Sequence, residues 1–233
     1  VRRRLNWGLA RVVNVVQETA QTKSIALDPP DWPGHIAGQH VDVRLTADDG
    51  YQAERSYSIA SAPEDEHLVL TVERLDDGEV SPYLTDELHP GDDLELRGPI
   101  GGYFVWEDAL GGPLLLVGGG SGVVPLRAML RHHRAVASDV PARLVYSART
   151  QADLIYRAEL EDFDTVITLT REQWNGRTGR VGRDLLAEVA WPPAEKPLVY
   201  VCGPTGFVEG VADALVALGH DATRIRTERF GPT

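Results

Sequence analysis

The continuous apolar run at residues 114–117 ends in Gly118, Gly119, Gly120, Ser121 and Gly122. The chain then continues through Val123, Val124 and Pro125 into a helical pattern from Leu126. A strand apolar at successive positions is buried on both faces, so it belongs in a parallel sheet covered by helices. Backbone amides in a glycine-rich turn can approach a pyrophosphate closely, and the positive end of the following helix favours an anion. Pro125 suits a helix's first turn, where its missing N–H leaves nothing unsatisfied. Val123 stands where the third glycine of G-x-G-x-x-G would be. The turn alone therefore admits a phosphate site or a tight structural turn.

The same rhythm continues to the end of the chain. Strands are expected at 142–147, 165–170, 198–201 and 224–228, with helices at 152–160, 182–189 and 205–218. Before residue 107 the texture differs. Short alternating or β-branched runs at 9–16, 24–27, 40–45, 56–61, 67–74 and 93–97 are separated by turn residues, with one short helix at 82–88 capped by Ser81. Many short strands of this kind predict a small antiparallel barrel. The expected division is a β-barrel over residues 1–106 and an α/β layer structure over residues 107–233.

Charge and composition narrow the partners. With 35 acidic against 23 basic side chains and a net charge of −12, the chain repels a phosphate backbone, so nucleic-acid binding is not expected. Arg2, Arg3 and Arg4 form the only basic cluster, either a solvated terminus or a docking patch for an acidic partner. Cys202 is the only cysteine, which excludes an intrachain disulfide and an iron–sulfur cluster held by four thiolates of this chain. No metal site is expected. No apolar run approaches the roughly 20 residues that span a bilayer, and no signal-peptide core is visible, so a cytoplasmic location is expected. Met129 is the sole methionine, which implies a trimmed or processed start.

A second cluster carries chemistry. Arg55, Tyr57 and Ile59 alternate with Ser56 and Ser58 along one strand, putting a cation and an aromatic ring on one face and hydroxyls on the other. The set suits a flat, phosphate-bearing ligand, or equally a half-buried barrel strand with a snorkelling arginine.

Taken in order, Arg55-x-Tyr57-Ser58, Gly78-x-Val80-Ser81, Gly98-Pro99-x-Gly101, the glycine turn and Cys202-Gly203-Pro204 resemble the ferredoxin–NADP reductase family across almost the whole chain. The resemblance implies a six-stranded antiparallel flavin-binding barrel followed by a five-stranded parallel-sheet nucleotide domain. It implies that Tyr57 stacks on the flavin ring, Ser58 hydrogen-bonds near its N5, and Arg55 holds its phosphates together with Gly78, Glu79, Val80 and Ser81. Val72, Glu73 and Arg74 would line the ribityl side. Gly119, Gly120, Ser121 and Gly122 would meet the nicotinamide dinucleotide, and Cys202, Gly203 and Pro204 would close over its nicotinamide end. Phe230, a Phe set back from the chain end, matches the aromatic that covers the flavin, with Glu228 nearby. Cys202 also has a plain reading as a small buried strand-end residue.

The implied activity is that of an NAD(P)H-dependent flavoprotein. FAD takes a hydride from NADPH, or from NADH, and single electrons pass to a separate redox partner such as a ferredoxin, a flavodoxin or an oxygenase. A flavin or ferric-siderophore reductase and a non-catalytic FAD-binding electron-transfer subunit are the alternatives. Ser147, Arg149 and Arg171, at the ends of the second and third parallel strands, offer a hydroxyl and two guanidiniums to a 2′-phosphate, which favours NADPH, although Arg149 also has a plain reading as a surface arginine of a βα loop.

Overall fold

The computed structural model describes residues 5–231; the cluster Arg2, Arg3 and Arg4 lies outside them. Six antiparallel strands, β1 (Gly8–Thr19), β2 (Thr22–Asp28), β3 (His40–Thr46), β4 (Gln52–Ser58), β5 (Leu68–Glu73) and β6 (Asp93–Ile100), form one sheet in the order β4-β3-β6-β1-β2-β5. The two edges meet where Ile59 bridges Leu70 and the Ala60 N–H donates to the Val69 carbonyl at 2.7 Å, so the sheet closes as the expected barrel. Alternation drives this closure: Val41, Val43, Leu70 and Val72 turn inward with Ile25 and Leu27 and are fully buried. Each such side chain stabilises the fold by about 1.5–3 kcal/mol before entropy is counted.

β4 begins earlier and ends earlier than expected, because its register follows β3 from Gln52 opposite Thr46 to Ser58 opposite His40. The short helix occupies Tyr83–Glu87, and its last turn closes through Leu88 N–H to the Tyr83 carbonyl. Ser81 does not cap it. Its hydroxyl instead accepts from the Leu75 N–H at 3.0 Å and ties the preceding loop together.

The second half is a parallel sheet built from β7 (Leu114–Gly119), β8 (Ala142–Ala148), β9 (Thr165–Leu169), β10 (Arg177–Thr178), β11 (Leu198–Pro204) and β12 (Ile225–Phe230), in the order β10-β9-β8-β7-β11-β12. Five of these strands are the expected ones. The sixth, β10, is a two-residue exposed edge strand pairing Arg177 with Thr168, too short and too polar to leave a periodic signal. Leu114 and Leu116 pack against α1 (Val123–Ala135), while Leu115 and Val117 pack against α3 (Arg183–Val189) and α4 (Thr205–Ala217). That is the two-sided burial the apolar run predicts.

The expected helix at 152–160 is broken. A tight turn at Gln151–Asp153 and a short α2 (Arg157–Leu160) flank Tyr156, which adopts φ 60°. A tertiary contact overrides helical propensity here: the Tyr156 hydroxyl donates to the Thr71 hydroxyl in β5, and the Arg127 guanidinium lies 4.5 Å above its ring. Around this contact the two halves are bolted together. Arg127 donates to the Ala60 carbonyl at 2.9 Å and to Glu159, and Arg131 bridges Glu159 at 2.9 Å and Asp65 at 2.5 Å. Burial opposes ionisation of Glu159, but the guanidiniums outweigh it and hold the carboxyl below its usual range. Among the described residues no helix is long and apolar enough to cross a membrane.

Candidate functional site

In a parallel sheet ligands bind beyond the carboxyl ends of the strands, where the order of strands reverses. Here that point lies between β7 and β11, which register Gly118 opposite Cys202. The glycine turn sits directly on it, and its glycines have different tasks. A Cβ at Gly122 would stand 2.1 Å from the Cys202 carbonyl oxygen, and one at Gly119 would stand 2.9 Å from the Phe207 ring. Both positions therefore exist for close approach to β11 and α4. Gly120 has φ +57° and open space above it, so its backbone is free to meet a ligand. Ser121 is half-buried beside it. The glycine turn also lies against β5 of the barrel, so the mouth of the nucleotide layer opens onto the wall that carries Val72 and Glu73.

β12 completes the strand-end cluster by pairing Cys202 with Glu228, Gly203 with Arg229 and Pro204 with Phe230. Cys202 is buried; burial first, then the neighbouring Glu228, push its thiol well above the usual range, so it is neither a thiolate nor a nucleophile at neutral pH. Burial raises Glu228 to about 7. One of its carboxylate oxygens, Oε2, is enclosed without a hydrogen-bond partner. Phe230 is 37% exposed, an accessible aromatic at the rim of the same cluster.

In the barrel, Tyr57 and Ser58 are half-buried at the end of β4. Tyr57 leans on the barrel core, and its phenol is pushed up to about 12 by burial. Ser56 faces the other way, donating to Asp42 at 2.7 Å. Arg55 reaches the 78–81 turn, pairing with Glu79 at 3.1 Å, so the predicted phosphate residues do converge. Gly78 is needed there because a Cβ would crowd the Ser81 hydroxyl at 2.9 Å. Val72 and Val80, in contrast, turn their side chains into the barrel core and leave only their backbones to a ligand. Arg74 is committed to Asp86 at 2.9 Å and to Asp76.

The remaining set stands at the ends of β8 and β9. Ser147 is buried, whereas Arg149 and Arg171 are exposed and joined by an Arg171 N–H to Arg149 carbonyl bond of 2.9 Å. Neither guanidinium is in an ion pair among the described residues. Sequence reasoning missed Phe207, whose ring wedges against both Gly119 and Gly203, and Tyr51, whose hydroxyl donates to Glu79 at 2.8 Å. Phe207 reads as one more apolar residue of a helix, and Tyr51 as a turn residue after Gly50, so neither carried a signal.

These features fit both cofactors. The pieces are an open amide at a glycine turn, a buried unpaired carboxyl oxygen at the strand ends, and a cation beside a turn of backbone amides. They define an oxidoreductase that binds FAD in a barrel and a nicotinamide nucleotide on a parallel sheet. Family models agree, matching an oxidoreductase FAD-binding domain at residues 10–105 and an oxidoreductase NAD-binding domain at residues 116–213. The chain belongs to the ferredoxin–NADP reductase family of FAD-binding oxidoreductases.

It is 34% identical to the glycine betaine monooxygenase reductase subunit of Chromohalobacter salexigens, over 96% of this chain and 64% of that protein. It is 33% identical to the NADH oxidoreductase HCR of Escherichia coli, over 94% of this chain and 67% of that protein. The chain thus spans 64% of the length of the first of these relatives. Its fold superposes with a TM-score of 0.86 on the flavohem-like FAD/NAD-binding domain of a nitric oxide dioxygenase from Vibrio cholerae, at 26% identity over 97% of this chain and 99% of that domain.

Two outcomes test this geometry. Gly122→Ala should lower unfolding stability by about 1–3 kcal/mol, as overpacking does, and weaken nucleotide binding. Gly210→Ala, with nothing within 4 Å of its new Cβ, should gain about 0.5–1 kcal/mol in helix α4; urea midpoints distinguish the pair. For Glu228, the folded carboxyl holds its proton up to about 7 against an ordinary value of 4.5, so the folded state binds more protons between those limits. Stability therefore falls as pH rises through that window. Glu228→Gln should remove this fall, and parallel pH–stability curves for variant and wild type would show that burial does not raise the carboxyl.

Proposed function

We propose that the chain is the reductase of an electron-transfer system, oxidising NADPH or NADH and delivering electrons to a separate protein. The observation that carries this reading is the seating of the glycine turn between the Cys202 strand end and β5, which brings the nucleotide site up to the flavin wall. When bound, FAD supplies the chemistry, taking an electron pair as hydride from the reduced nicotinamide and releasing electrons singly.

The protein's part is placement. Ser58 offers a hydroxyl where a flavin ring stacked on Tyr57 presents its edge. The neutral thiol of Cys202 and the buried carboxyl of Glu228 shape a pocket for the nicotinamide without placing a fixed full charge in it. Phe230 screens that pocket from water until the coenzyme arrives.

The division into a FAD-binding unit at residues 1–106 and a nucleotide-binding unit at 107–233 belongs to the same proposal, as does a cytoplasmic location. The relative from C. salexigens is named as the reductase subunit of a monooxygenase, which supports an oxygenase component, or a carrier serving one, as the acceptor. The unpaired Arg149 and Arg171 support NADPH, and the name of the E. coli relative supports NADH.

Anaerobic addition of NADPH or NADH should bleach the yellow flavin absorption of the FAD-loaded protein; absorption that survives saturating amounts of both sinks the reductase reading. In the same stopped-flow assay Ser58→Ala should keep its flavin and slow bleaching about tenfold, the worth of one hydrogen bond of about 1.4 kcal/mol. Arg149→Ala should lose roughly 10- to 150-fold in NADPH efficiency, equivalent to about 1.5–3 kcal/mol for a charge-assisted bond, and keep its NADH activity. Equal losses with both coenzymes would mean that the 2′-phosphate is not read at this arginine.

A further inference from the structure

The phosphate corner of the barrel contains a contradiction. Arg55 is the cation expected to receive the flavin phosphate, and it stands 3.1 Å from a carboxylate, Glu79. That carboxylate does not dangle. Its Oε2 accepts from Arg55, and its Oε1 accepts from the Tyr51 hydroxyl at 2.8 Å. Tyr51 comes from the turn before β4 and is 57% exposed, so its ring leaves the barrel core in order to reach Glu79. The Tyr51 phenol is raised, first by this hydrogen bond and then by the charge of Glu79, as expected for a donor engaged by an ionised carboxylate. Arg74 cannot relieve the negative charge, being committed to Asp86 and Asp76.

A fixed anion beside a phosphate site discriminates between phosphates. A phosphate monoester has a second ionisation near pH 6 and carries about −1.5 to −2 charges at pH 7. Each phosphate of a pyrophosphate diester carries a single charge, and in a dinucleotide the chain runs on into a ribose whose hydroxyls can donate to a carboxylate. A carboxylate at Glu79 would repel the compact dianion of FMN more than the pyrophosphate of FAD, whose two charges are spread over two groups, and would offer FAD an acceptor that FMN cannot use.

We infer that Glu79, held in place by Tyr51, selects FAD over FMN in this chain. The inference rests on the flavin-binding reading and adds to it the residue pair that sets which flavin is retained. Tyr51 acts through Glu79 and is a positioning residue.

The experiment is equilibrium titration of the flavin-stripped protein with FAD and, separately, with FMN, followed by flavin fluorescence. The wild type should prefer FAD. Glu79→Gln should bind FMN about 3- to 10-fold more tightly and FAD no more tightly, the scale of one screened like-charge contact at a half-exposed site. Tyr51→Phe should shift the preference in the same direction by less. The gain for FMN should be larger at pH 8 than at pH 5.5, where the monoester has lost most of its second charge, and it should shrink in high salt. A space-filling role for Glu79 would move neither the pH nor the salt dependence. An unchanged ratio of FAD to FMN affinity in Glu79→Gln overturns the inference while leaving flavin binding intact. A wild type that binds neither flavin overturns the underlying reading as well.

Discussion

Everything in the nucleotide half depends on how closely two strand ends can approach. Gly122 lies where any side chain would collide with the Cys202 carbonyl, and Gly119 lies where one would collide with Phe207. Close-packed interiors absorb such collisions poorly, so the absence of two Cβ atoms decides whether the turn seats on β11 at all. Once seated, the turn leaves Gly120 facing open space and sets Cys202 and Glu228 beside it in register. Packing and site geometry are here one constraint.

The second dependence is between the halves. Packing and charge join them together: Ala37, Ala60 and Phe104 share one buried apolar cluster with Met129 and Tyr200, Arg127 and Arg131 share Glu159, Arg131 also holds Asp65 of the barrel, and Tyr156 reaches across to Thr71. Partly buried charges are costly unless each finds a partner, and in this cluster each does. The distortion at Tyr156, which breaks an otherwise good helix, is the local cost of that contact.

Electrostatics separates the two strand-end residues from ordinary catalytic groups. Burial holds the Cys202 thiol neutral and leaves Glu228 near half-ionised at neutral pH. By contrast Arg55 and Glu79, at the edge of the barrel, are half-exposed ions that solvent screens.

The sequence by itself determined the succession of barrel strands and βα units, the change from barrel to parallel sheet, and the glycine turn that follows the first parallel strand. These are written in local terms: alternation sets which face of a strand is buried, a continuous apolar run demands two covered faces, and a glycine turn after such a run permits close backbone approach. It did not show the edge strand β10, whose two residues have no period, nor the break at Tyr156, where a contact with Thr71 outweighs helical propensity. Only the tertiary structure decided that Val72 and Val80 spend their side chains on the core, that Arg74 is taken by Asp86, and that Tyr51 and Glu79 meet at Arg55. Those outcomes depend on residues far apart in the chain that closure of the barrel makes neighbours, and no local pattern records which of several competing partners a long polar side chain will find.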